Sequence, residues 1–159
     1  MRAFLTLSAS LLFAVSCAKN STQTGSSIDS LPEEKTSAPR LARCSQVSEI
    51  EKLQVRETLI VQVQGDVVSG TYHFATGDKN SLTDTGFQHL LGKIAKSEEN
   101  SGNKVNLTLK NGTLTTYFDE DFAAVKELSA LNFDLKEKKV SFTVAQDERA
   151  TTIGGCQFE

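Results

Sequence analysis

Leu53-Gln54-Val55-Arg56-Glu57-Thr58-Leu59-Ile60-Val61-Gln62-Val63-Gln64-Gly65-Asp66-Val67-Val68-Ser69-Gly70-Thr71-Tyr72-His73-Phe74-Ala75-Thr76 is the stretch from which the fold is read. β-Branched and aromatic residues crowd both sides of Gly65-Asp66, a composition suited to two strands around a tight turn in which glycine takes positive φ without steric cost. Pairing Gln64 with Val67 sets Val63 opposite Val68, Val61 opposite Gly70 and Leu59 opposite Tyr72. Side chains alternate between faces along a strand, so these residues share one apolar face. Gln62, Ser69, Thr71 and His73 share the other, which reads as solvated.

Further along the chain, Asn111-Gly112 predicts a second hairpin, Val105 to Lys110 with Thr113 to Phe118, because both residues of the pair accept the left-handed region. A third joins Leu131–Leu135 to Val140–Val144 through Lys136-Glu137-Lys138-Lys139, matching Phe133 with Phe142 and Leu135 with Val140. A last strand is expected from Thr151 to Phe158, weakened by Gly154-Gly155. Between the hairpins, Phe87, Leu90, Leu91 and Ile94 recur at helical spacing, with Thr83 or Asp84 as a cap. Phe122, Val125 and Leu128 do the same over Glu120 to Ser129, behind acidic residues suited to a helix start. The expected fold is therefore α+β and strand-rich: antiparallel hairpins forming a sheet or partly closed barrel, with two short helices.

Chemistry is sparsely signalled. The chain of 159 residues has only two histidines, His73 on a polar strand face and His89 opposite the Phe87 stripe, which limits metal and general-base arrangements. Asp119-Glu120-Asp121 lacks the alternating ligands of a calcium loop and reads as a helix cap. There is no nucleophile elbow, phosphate-cradling loop or Cys-x-x-Cys. No catalytic residue, metal or cofactor is expected, and nothing supports an enzyme.

The first 17 residues run Met1-Arg2, an apolar stretch, then Phe13-Ala14-Val15-Ser16-Cys17. One positive charge, an apolar run of about 13 residues and small residues before the cut form a signal-peptide layout, too short for a lasting span of about 20. The last five residues resemble the lipobox of bacterial lipoproteins. The resemblance implies diacylglycerol on the Cys17 sulfur, cleavage before Cys17 and acylation of the new amine, with palmitate among the chains. Membrane anchoring would follow, since each buried methylene contributes about 0.8 kcal/mol and more than one chain is present. Ala18, which is not Asp, implies outer-membrane sorting by the family's rule.

Cleavage would leave 143 of the 159 residues and take the formal net charge from −3 to −4, with no basic excess to attract nucleic acid. Residues 18–40 hold both prolines and no aromatic, and read as a flexible tether of about 25 to 30 Å ahead of a single β-rich domain, 41–159. With Cys17 in a thioether, Cys44 and Cys156 remain to pair in an oxidising compartment.

These features lead to a non-enzymatic envelope module, lipid-anchored and binding another envelope protein, cell-wall material or a small ligand. Two alternatives differ in mechanism. One is a carrier of a small apolar ligand, resembling calycins in antiparallel layout. The other rests on Ser69-Gly70-Thr71-Tyr72, which resembles the Ser-Gly-x-x-Tyr segment of lysozyme-inhibitor lipoproteins with one residue fewer, so that Ser69 and Tyr72 point to opposite faces.

Overall fold

A computed structural model describes residues 38–50, 53–78, 81–101, 103–118, 121–147 and 149–159. The expected signal segment, Cys17 and most of the tether lie outside them. The strands are β1 (Leu41–Ile50), β2 (Leu53–Gln64), β3 (Val67–Asp78), β4 (Ser81–Asn100), β5 (Lys104–Phe118), β6 (Asp121–Asp134), β7 (Lys139–Val144), β8 (Ala150–Ile153) and β9 (Gln157–Phe158). They form one antiparallel sheet in the order β8-β7-β6-β5-β4-β3-β2-β1-β9.

Only three residues separate β8 from β9, yet the two strands sit at opposite edges of the sheet. The sheet must therefore curl until its edges approach, giving a half-barrel. The seam is fastened in several ways. Cys44 and Cys156 form a disulfide across 112 residues. Leu41 and Glu159 exchange backbone hydrogen bonds of 3.2 and 2.9 Å, the Cys156 N–H donates to the Lys138 carbonyl at 3.0 Å, and the Gly154 N–H donates to Gln46 Oε1 at 2.7 Å. In the chain-entropy description, closing so long a loop stabilises the fold by about 4 to 5 kcal/mol.

The first hairpin has the register its sequence predicts: Gln64–Val67, Val63–Val68, Val61–Gly70 and Leu59–Tyr72 are all partners, and Gly65 turns at φ +60°. The α+β expectation is overturned. No helix occurs among the described residues, and both expected helices are strands, β4 and β6. In β4 the helical stripe divides between two faces, Leu90 and Ile94 packing on the core while Leu91 is exposed. In β6, Leu128 is inward and fully buried, whereas Phe122 and Val125 are exposed. Spacings of three and four satisfy a helix, but they equally describe a strand that is apolar on both sides.

Asn111-Gly112 does not turn a hairpin. β5 runs straight through it, with Asn111 alone at φ +53° and the β5–β6 register slipping between Thr108 and Thr113. Left-handed geometry at one residue rather than two gives a bulge. Irregularities also fall at Leu91/Lys93 and Ile94/Lys96 on β4 and at Leu128/Ala130 on β6, so a line of bulges crosses the sheet and bends its strands around the core. The β6–β7 turn is displaced by one residue: Asp134 pairs with Lys139 and Phe133 with Val140, so Phe142 faces Leu131 instead of Phe133. Asp134 holds this turn by accepting the Glu137 N–H at 2.9 Å and by pairing with Lys104 at 3.2 Å. The same contacts, the backbone bond foremost, keep its carboxyl below the usual range. The expected final strand is two strands, β8 and β9, because Gly154 and Gly155 let the chain cross the seam.

The interior is filled. Phe133, Phe142, Leu59, Leu90, Leu107, Leu128, Leu131 and Ile153 are each at most 2% exposed. Tyr72 on β3 meets Phe142 on β7 at 5.6 Å, and Phe133 on β6 meets Phe158 on β9 at 6.3 Å. Rings from opposite walls are in contact.

Candidate functional site

The feature that the core does not explain lies on the outside. Across β2 to β6 the register aligns three rows of outward side chains: Thr58–His73–Phe87–Tyr117–Phe122, Ile60–Thr71–His89–Thr115–Val125, and Gln62–Ser69–Leu91–Thr113–Glu127. None of these residues is buried. Among the fifteen positions only Glu127 carries a formal charge, whereas 23% of the whole chain is charged. A solvated sheet face ordinarily carries charge and avoids exposed large apolar groups. Here Phe122 is 63% exposed, Val125 54%, Leu91 53% and Ile60 46%.

The first row is an aromatic ridge. Phe87 and Tyr117 stack at 4.8 Å with an interplanar angle of 13°, about the distance between neighbouring strands. His73 stacks on Phe87 at 5.7 Å, and Phe122 meets Tyr117 edge-on at 6.2 Å. His89, one row over, sets its ring perpendicular to Phe87 at 5.3 Å and to Tyr117 at 5.6 Å. Such pairs contribute about 0.5 to 1.5 kcal/mol each beyond area burial. Beside the ridge lies a shallow open hollow of about 490 Å³, lined by Ile60, Gln62, Ser69, Gly70, Thr71, His89, Leu90 and Leu91.

Both histidines therefore belong to one surface, a grouping that the sequence did not disclose because His89 was expected on a helix. Ser69 faces outward into the hollow while Tyr72 is buried, the opposite orientation that their spacing predicts. Compared with family models the chain matches none, and no curated protein matches it.

Inside the half-barrel one polar cluster stands out. The Tyr72 hydroxyl donates to Glu57 Oε1 at 2.5 Å, and Gln46 Nε2 donates to Glu57 Oε2 at 2.5 Å. Because Gln46 also accepts the Gly154 N–H, the cluster ties β1, β2 and β3 to the C-terminal crossing. Burial pushes the Tyr72 phenol well above its ordinary range, and the hydrogen bond to Glu57 and the charge of that carboxylate push the same way. Each carboxylate oxygen accepts from one donor, an arrangement that fixes the seam. Among the described residues, no group of three or more His, Cys, Asp or Glu side chains could hold a metal ion.

Proposed function

We propose that the chain is a lipid-anchored module of the bacterial envelope, held through Cys17 and probing its surroundings by docking, without chemistry of its own. The observation that carries the docking half is the set of three outward rows across β2–β6 in which Glu127 alone is charged and exposed aromatic and aliphatic groups are frequent, bordered by Lys93 and Lys110 in the next row, the composition of an interface centre with a polar rim. The Cys44–Cys156 disulfide supports an oxidising compartment, in keeping with export, and the lipobox-like Phe13-Ala14-Val15-Ser16-Cys17 supports the anchor. Ala18 favours the outer membrane as its destination.

Two measurements test the two halves. Metabolic labelling with a palmitate analogue should mark the wild type and spare Cys17→Ser; label persisting in that variant would remove the anchor. Carbethoxylation of His73 and His89 should be slower in intact envelopes than in protein extracted and diluted to nanomolar concentration. Equal rates would remove the docking reading.

A calycin-like carrier is the second reading, favoured by the curled antiparallel half-barrel itself. The filled interior weighs against it: Phe133, Phe142 and Tyr72 occupy the space that a ligand of several hundred Å³ would need.

A further inference from the structure

Resting on the docking reading above, we infer that the outer face of β2–β6 docks onto an anionic lipid surface, its crest entering the headgroup layer and two of its lysines meeting the phosphates. The shape comes from the topology. β4 is the median strand of the sheet, so once the edges curl towards each other it stands farthest from the seam, and its outward residues Phe87, His89 and Leu91 form the crest of a convex surface. β3 and β5 fall away on either side, with Thr71 and His73 on one and Thr115 and Tyr117 on the other. A rigid, flat partner would touch such a crest along one strip. Lipid headgroups yield around it, and no matching concavity is required.

The side chains on this convex face are those of a membrane interface. Leu91 is exposed on the crest, with Ile60, Phe122 and Val125 exposed on the flanks. Tyr117, His73 and His89 each join an apolar ring to a polar tip, which suits the boundary between acyl chains and water.

Charge selects the kind of lipid. The next outward residue of β4 after Leu91 is Lys93, which pairs in register with Lys110 of β5. Both are exposed, and neither is ion-paired among the described residues, Asp66 in the adjacent β2–β3 turn included. Like charges opposite each other destabilise a strand pair, so folding alone does not ask for these two; a lipid phosphate between the ammonium groups relieves their repulsion. The other charges on the face largely offset one another. Lys96 pairs with Glu98 at 2.6 Å, Arg56 and Asp84 both pair in register with Ala75, and Glu127 stands at a corner on β6. Because the whole chain carries −3, attraction to an anionic bilayer has to come from a local cluster. The β6–β7 turn also gathers lysines, Lys136, Lys138 and Lys139, but no exposed large apolar residue adjoins it.

The test uses the full chain with a benzophenone amino acid in place of Leu91, on vesicles of phosphatidylcholine alone or with about one quarter phosphatidylglycerol. Irradiation should add the mass of one phospholipid to the protein, with the higher yield on the anionic vesicles. Lys93→Gln with Lys110→Gln should remove that difference, by up to about fivefold for each lysine, while the Cys44–Cys156 bond still forms and the yield on phosphatidylcholine alone is unchanged. The same probe at Lys136 should give far less adduct. An equal yield from Lys136, or a yield from Leu91 indifferent to phosphatidylglycerol or to the two lysines, would overturn the inference. In intact envelopes, an adduct joined only to protein or glycan would also overturn it, leaving the docking reading standing. No adduct of any kind from a disulfide-intact chain would overturn both.

Discussion

At the scale of single residues, Tyr72 and two glycines show how the seam and the bulge line are built. Tyr72 is neutral in the fold because burial and its bond to Glu57 disfavour the phenolate. A group whose acid is strengthened against ionisation in this way contributes stability fully below its unfolded pKa of about 10 and loses it as pH rises beyond that value. Wild-type stability should therefore fall more steeply above about pH 10 than that of Tyr72→Phe, which should cost about 1 to 2 kcal/mol at neutral pH. Denaturant melts from pH 8 to 11 check both, and parallel curves would remove the coupling. Gly65 and Gly112 differ for a steric reason. A Cβ at Gly65 meets nothing within 4 Å, so alanine there costs only its left-handed φ, about 1 kcal/mol. A Cβ at Gly112 would overlap the Leu128 carbonyl of β6, in a strand that cannot retreat from its core. Gly112→Ala should be the more damaging of the two, by about 1 to 3 kcal/mol, as read from thermal midpoints.

At the scale of elements, the first hairpin was legible to the residue because β2 and β3 alternate cleanly, Leu59, Val61 and Val63 inward against Thr58 and Gln62 outward. β4 and β6 were not, and the reason is physical. Phe87 and Leu91 on β4, and Phe122 and Val125 on β6, are apolar on the outward side, so the period of two is broken where the candidate docking face lies. The spacing that remains imitates a helix. Local rules fail here because the surface departs from what folding alone asks of it. Asn111-Gly112 misled in another way: its left-handed preference is satisfied at Asn111, but β4 and β6 continue on either side and hold β5 to a bulge. β1 was missed because Leu41 to Ile50 lacks strict alternation, and only its partners on both sides define it.

At the scale of the molecule, the disulfide spans nearly the whole described chain, and its pairing was legible from the cysteine count once Cys17 was set aside. The curl was not, since nothing local tells β9 to leave β8 and join β1. Reducing the Cys44–Cys156 bond should lower the denaturant midpoint, by up to the equivalent of about 4 to 5 kcal/mol, without abolishing the β-sheet signal in circular dichroism. Identical midpoints with and without reductant would show that the hydrogen bonds of the seam suffice alone.

The pairing of β9 with β1 also imposes an order in time. β1 is the first strand of the sheet to be made and β9 the last, so one edge of the sheet stays without its partner until Gln157 and Phe158 have arrived. A chain threaded through a membrane from its N-terminus would carry that open edge, a template for misplaced strands, through the whole of its passage. Such a passage would favour holding the chain unfolded until release, and would make the loss of a few C-terminal residues a defect of assembly as much as of stability.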